Sequence, residues 1–441
     1  LRRPEACGKV RTVSSLFRLN SARFRNFRSF ASAFVPLHRD LTVVYAENGG
    51  GKTALLNGLA VALGAAINPS PRNLIEREDV REIADEPSGT AVPQYPCLIE
   101  VQGRVANAPI QWSRAITAPG RRSTKGGTKQ LRDAMARVLT EGADWPVFAF
   151  YGTQRLWDLV RARKAGPPRS VHRLDGYTNA LDPRSKEEEL VNWLFKSTLA
   201  QLQGGADGTQ LAFLEALRVA AAHSTAHGDV QVQKVEYDMK RAGPAVVLST
   251  GERVPWDRMS DGFHVFLGLV ADLARRCVTL NPQLGADAVQ KAQGTVLIDE
   301  IDLHLHPRWQ RVVVPNLRAA FPNLQFVIST HSPQVLSSVE NDQVVGLVPG
   351  QIIHPVQVAG RDTNSLLRDV FGTSERDQSQ PQAETLKLFY RTLDDGDLDS
   401  AAALYEELQK AWGDTDPEVV RASRMLEWTR DEKDPEATAP R

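Results

Sequence analysis

Cysteine is almost missing from this chain. Its three residues among 441, Cys7, Cys97 and Cys277, are too scattered for a disulfide framework or a cysteine metal knuckle. Long apolar runs are missing as well, and none approaches the roughly 18 residues that a membrane span needs. No secretory leader is legible, although the sequence opens on Leu1 without methionine. The expected compartment is therefore the cytoplasm, with no membrane partner. Net charge is absent too, because 53 Lys and Arg balance 53 Asp and Glu. That balance hides an uneven spread. Leu1 to Arg28 holds eight bases against one acid, and Arg155 to Arg173 holds six against one. From Asp394 to Arg441, fourteen acids face six bases. Solvated surface accounts for any one of these clusters, while basic lobes with an acidic tail also allow a polyanion partner such as DNA. With 42% hydrophobic residues, the chain has the composition of a globular protein of several domains, or of one large α/β domain with insertions.

What is present is glycine at one place. Ala46 to Thr53 reads A-E-N-G-G-G-K-T, after the β-rich run Leu41 to Tyr45 and before apolar residues at helical spacing (Leu55, Leu56, Leu59, Leu63). This is the strand–turn–helix setting of a phosphate-binding loop, with alanine in place of the first glycine. Asn48, Gly49, Gly50 and Gly51 would let backbone N–H groups curl around an oxyanion at a helix N-terminus. Lys52 would reach the terminal phosphates of ATP, and the Thr53 hydroxyl would ligate Mg²⁺. Alanine at position 46 only opens the turn, so its cost to such a site is small. The bland alternative is a glycine turn followed by a chance Gly-Lys-Thr.

Three further stretches carry matching chemistry. Thr295 to Ile298 reads as a buried strand ending in Asp299 and Glu300, a Mg²⁺-holding carboxylate and a base for the attacking water. Leu324 to Thr330 is a second apolar strand, followed by His331 at its carboxyl end. Arg258 to Arg276 reads as a helix opened by Ser260, Asp261 and Gly262, with Ser260 either a plain N-cap or part of an anion site. His304, His306 and His331 could also be read as a metal cluster, but Pro307 and the lack of i, i+4 spacing argue against it.

At these four stretches the chain resembles the ABC-type ATPases of the RecF, SMC and OLD kind. The resemblance implies an α/β fold: a P-loop NTPase head with a helical lid insertion and a helical C-terminal tail. It implies ATP and Mg²⁺ as cofactors. It also implies a homodimer or higher homo-oligomer, in which the signature helix of one protomer closes over ATP held by the other. Ser260 and Gly262 match the signature serine and last glycine, with Asp261 where transporters carry glycine. Asp299 and Glu300 match Walker B, His331 matches the switch histidine, and Leu303 to Pro307 matches the D-loop region. Gln154, with Arg155 as rival, stands where the family places its Q-loop glutamine.

The resulting division is 12–160 as the first ATPase lobe, 161–250 as the helical lid, 251–360 as the second lobe and 361–441 as the acidic helical tail. The lid occupies the place of the SMC coiled coil but carries no heptads, so a compact insertion is expected. In the tail, Asp399 to Trp412 reads as an amphipathic helix stopped at Gly413, and Asp416-Pro417 opens another. An acidic metal-binding strand after the ATPase core, which a Toprim nuclease needs, is missing. With that absence and with the stretch Asp369 to Leu386 (DVFGTSERDQSQPQAETL), the chain more closely resembles stand-alone antiphage-defence ATPases of the Septu PtuA kind, and the resemblance implies a separate HNH-type nuclease as partner. The competing expectation is a RecF- or SMC-like ATPase of DNA repair, whose direct ligand is duplex DNA.

Overall fold

A computed structural model describes residues 16–67, 74–85, 90–121, 123, 126–140, 143–153, 172–183, 187–204, 208–348, 351–373 and 380–433. Gln154, Arg155 and the basic run 155–171 lie outside these residues. By compactness the chain divides once, into a unit ending at Thr363 and a second beginning at Asn364.

In the first unit, four apolar runs become strands buried on both faces: Leu41–Ala46, Val147–Tyr151, Gly294–Ile298 and Leu324–Thr330. Continuous burial is what a parallel sheet covered on both sides demands. The central sheet runs in the order Gln351–Ile353, Val344–Val348, Leu41–Ala46, Leu324–Thr330, Gly294–Ile298, Val147–Tyr151. All neighbours are parallel except the edge strand Gln351–Ile353. Parallel pairing brings the carboxyl ends of the middle strands to one edge, and in such sheets ligands bind there. The phosphate-binding loop, Asp299 and His331 each follow one of those ends.

A second, antiparallel sheet is formed by Phe30–Pro36, Phe17–Phe27, Cys97–Val105 and Ala108–Ile116. The helix Lys52–Leu63 packs against strands of both sheets, which is why ten of its twelve residues are buried rather than one stripe. Gly58 allows this approach, because a Cβ there would lie 2.4 Å from the Phe24 ring. The Trp112 indole N–H donates to the Ala62 carbonyl at 3.1 Å, so its burial leaves no orphan donor. Buried Gln325 ties the two sheets together. Its amide donates to the Leu19 and His38 carbonyls at 2.7 and 2.9 Å, and its oxygen accepts the Leu19 N–H at 2.9 Å.

Between these strands in sequence lie the helices Glu187–Leu202 and Gly208–Ser224. The strands Val232–Asp238, Gly243–Leu248 and Arg253–Pro255 then form a three-stranded antiparallel sheet that helical patterning did not foresee. The segment 281–293 is partly helical, with turns at Pro282–Asp287 and Ala288–Lys291.

The second unit has its own core of Phe389, Leu393, Ala401, Leu408, Val419, Ala422 and Leu426. These residues come from the helices Pro381–Asp394, Leu398–Trp412 and Pro417–Lys433. Leu398–Trp412 ends at Gly413, whose φ of 81° suits a residue without a side chain. Among the described residues, no helix is long and apolar enough to cross a membrane.

Candidate functional site

The loop after Leu41–Ala46 takes its shape from its glycines. Gly51 has φ of 99°, and a Cβ there would lie 2.8 Å from the Ser29 hydroxyl and 2.9 Å from the Phe30 ring. A Cβ at Gly50 would lie 2.7 Å from that of Ala46. Alanine at the first position is thus matched by glycine four residues later.

Lys52 is 6% exposed, and its ammonium donates to the Ala46 and Glu47 carbonyls at 2.9 and 3.2 Å. Burial lowers its pKa, while the charges of Asp299, Glu300 and Asp302 act in the opposite sense. Three acids of the turn after Gly294–Ile298 therefore act electrostatically on the lysine of the loop.

The two halves of the motif set meet directly. The Thr53 hydroxyl donates to Asp299 Oδ2 at 2.8 Å across 246 residues of sequence. Asp299 is 1% exposed, and its N–H donates to the Tyr151 carbonyl at 2.8 Å. A hydroxyl and a carboxylate this close offer the hard oxygen donors that suit Mg²⁺. Glu300 follows with φ of 49°, a left-handed conformation uncommon outside glycine.

His331 is half-buried beyond the end of its strand, between two anchored residues. Thr330 donates to Asp302 Oδ1 at 2.5 Å, and Ser332 caps the helix Pro333–Ser337. The signature stretch lies elsewhere in the unit. Ser260 is exposed at the N-cap position of Asp261–Leu280, yet its side chain makes no capping hydrogen bond. Gly262 packs on the D-loop region, where a Cβ would come within 2.2 Å of the His304 carbonyl oxygen. Asp261 opens the helix, where an acid suits the dipole. His306 is used as a helix cap, its Nδ1 accepting the Arg308 N–H at 3.3 Å. The structure thus joins Lys52, Thr53 and Asp299 in one place, and places Ser260 to Gly262 against residues 304–305 of the same chain.

Two contributions escaped the sequence. Ser329 holds the acidic turn. Beneath Tyr151 lies a buried ionic network centred on Asp272 of the signature helix. The Tyr151 hydroxyl donates to Asp272 Oδ2 at 2.9 Å, Arg275 donates to Oδ1 at 2.7 Å and Arg276 donates to Oδ2 at 2.7 Å. Burial opposes ionisation of Asp272, but the Arg276 and Arg275 guanidiniums outweigh it and hold the carboxyl far below its usual range. The i, i+3 and i, i+4 spacing of Asp272, Arg275 and Arg276 was the available signal; burial was not legible.

Several known proteins are similar to this chain. Residues 22–204 match a family model described as "AAA domain", and 181–337 match one described as "AAA domain, putative AbiEii toxin, Type IV TA system". The "Retron Vc95 probable ATPase" of Vibrio cholerae serotype O1 biovar El Tor is 24% identical over 395 residues, covering 76% of this chain and 75% of the relative. The "Septu protein PtuA" of Bacillus mycoides (strain KBAB4) is 39% identical over 93 residues, which is 21% of this chain and 12% of the relative. Among solved structures, the SMC head domain from Thermotoga maritima aligns with 77% of this chain and 100% of its own, at 13% identity and a TM-score of 0.43.

The parallel sheet and the meeting of the glycine loop with a strand-end aspartate define a P-loop ATPase. The chain is an ATPase that matches AAA-domain models over two of its stretches and is similar to the retron and Septu ATPases.

Proposed function

We propose that this ATPase is a switch that dimerises around ATP and controls a separate nuclease in antiphage defence. Asn48 to Gly51 cradle phosphate, Lys52 neutralises it, and Thr53 and Asp299 hold Mg²⁺, which supplies charge neutralisation when bound. Glu300 accepts the proton of the attacking water, and His331 senses the terminal phosphate. Ser260, Asp261 and Gly262 complete the site of the partner protomer.

The observation that carries the composite site is the exposed, uncapped Ser260. It is exposed and, among the described residues, makes no capping hydrogen bond to its own helix, as suits a group kept for a ligand arriving from outside the chain. Mixing Ser260→Arg with Lys52→Ala tests it. Each variant alone is expected to be inactive. The mixture should regain part of the parental turnover, because a mixed dimer holds one complete site. A mixture as dead as its parents, while heterodimers form, would remove the composite arrangement.

The nuclease reading is supported by the likeness to the Septu protein and by the acidic second unit. An acidic helical surface steers a basic, phosphate-gripping partner toward it. Because Phe389 and Leu393 belong to the core of that unit, a truncation test must remove everything from Asn364 onward rather than cut at Asp394. ATP turnover is expected to persist, and recovery of a co-expressed HNH-type nuclease to be lost. Turnover lost together with the partner, or the partner retained, would count against the docking role.

A further inference from the structure

We infer that Ser329 is a positioning residue that aims both Walker B carboxylates; this rests on the roles proposed above for Asp299 and Glu300. Its hydroxyl donates to Asp299 Oδ1 at 2.5 Å and accepts the Glu300 N–H at 2.8 Å. Its own carbonyl accepts the Ile301 N–H at 3.0 Å. One residue therefore grips three successive positions of the acidic turn.

The register explains how. Ile298 pairs with Ile328 in the parallel sheet, so Asp299, the first residue beyond its strand, comes beside Ser329, which is still within its own. Ser329 is fully buried. A serine hydroxyl has one proton and two lone pairs, enough to donate to a carboxylate and accept an N–H together.

Two consequences follow for the chemistry. With Oδ1 held by Ser329, Asp299 turns Oδ2 toward Thr53, the side on which Mg²⁺ would bind. A fixed carboxylate loses less freedom when it takes up a cation, and partners behind metal-binding groups act in this way. Glu300 meanwhile keeps its left-handed φ of 49°, a conformation uncommon for a residue with a side chain. The hydrogen bond from its N–H to Ser329 helps hold that conformation, and the conformation sets where the Glu300 carboxylate points.

His331 lies two residues beyond Ser329, and Thr330 between them is bonded to Asp302. A displacement of His331 would therefore be felt at the acidic turn through a short, hydrogen-bonded segment. Ser329 and Thr330 thus link the phosphate-sensing strand end to the residues that hold metal and activate water.

The test compares Ser329→Ala, Ser329→Cys and Ser329→Thr in the full chain. Turnover of Ser329→Ala is expected to fall ~10–100-fold, with a rise of similar order in the Mg²⁺ concentration for half-maximal rate. Binding of ATP without Mg²⁺ should remain near the parental value, because Lys52 and the glycine loop are untouched. Ser329→Thr restores the hydroxyl and should recover most of the rate. Ser329→Cys, a weaker donor of similar size, should fall between. A purely packing role would instead make the enlarged Thr worse than Ala and leave the Mg²⁺ requirement unchanged. That outcome, or parental turnover and Mg²⁺ dependence in Ala and Cys, overturns the proposal. Should Ser329→Ala fail to fold, Cys against Thr decides by the same two readings. Glu300→Gln run in parallel separates the foundations: normal turnover there sinks the base assignment, whereas an unchanged Mg²⁺ requirement in the Ser329 series sinks this one.

Discussion

Glu300→Gln is expected to bind ATP as the parent does and to hydrolyse it ~10²–10⁴-fold more slowly, the usual cost of losing a general base. Lys52→Ala is expected to lose nucleotide binding itself. The two differ because they remove different interactions. Glutamine matches glutamate in size and keeps the Glu300 N–H on Ser329, so the acidic turn keeps its conformation. Only the proton acceptor disappears. Lysine 52, by contrast, is the buried cation of the loop, already facing the field of Asp299, Glu300 and Asp302. Without it, the loop loses the ammonium that offsets the field of the three carboxylates, and the phosphates lose that attraction. Equilibrium binding of a fluorescent ATP analogue and steady-state phosphate release distinguish the two. Normal turnover by Glu300→Gln would exclude it as the base.

Asp272→Ala should cost the first unit about 3–5 kcal/mol, the range for removing one partner of a buried ionic cluster. Arg275 and Arg276 are both nearly inaccessible, and each donates to Asp272. Arg276 keeps the Gly176 carbonyl at 2.8 Å, and Arg275 keeps Glu189 at 3.7 Å. Neither neighbour balances two desolvated cations. Urea unfolding checks the loss, and a change below about 1 kcal/mol would mean that these partners suffice. The sign of the pH dependence follows from the depressed carboxyl pKa. The stability contributed by Asp272 is complete above its unfolded pKa of about 3.9 and is lost as pH falls toward its lower folded value. Asp272→Asn should therefore show a shallower loss of stability below about pH 4 than the parent.

These two sites were legible to different degrees. Lys52, Thr53 and Asp299 stand in motifs whose residue types are set by chemistry: glycine where backbone meets phosphate, lysine and hydroxyl beyond it, a carboxylate at a strand end. Such patterns are local and survive in the sequence. So do the buried strands, because four-to-seven-residue apolar runs admit few other fates. The helix stop at Gly413 was equally local, a left-handed position that favours glycine. The three-stranded sheet Val232–Pro255 was missed because its short strands alternate weakly and follow directly on a helix. Their pairing depends on register rather than on any one segment.

The sequence by itself determined the kind of chemistry and the residue types that perform it, since phosphate and metal recognition act through short contiguous stretches. Only the tertiary structure decided the pairings. Thr53 meets Asp299 across 246 residues because two strands in one parallel sheet end at the same edge. Ser329 meets Asp299 and Glu300 because Ile298 and Ile328 share a register. Tyr151 meets Asp272 because a strand end and the signature helix pack together. The physical reason is common to all three. A side chain's type is written one residue at a time, whereas its partner is chosen by the sheet register and helix packing of distant segments, which no single stretch encodes.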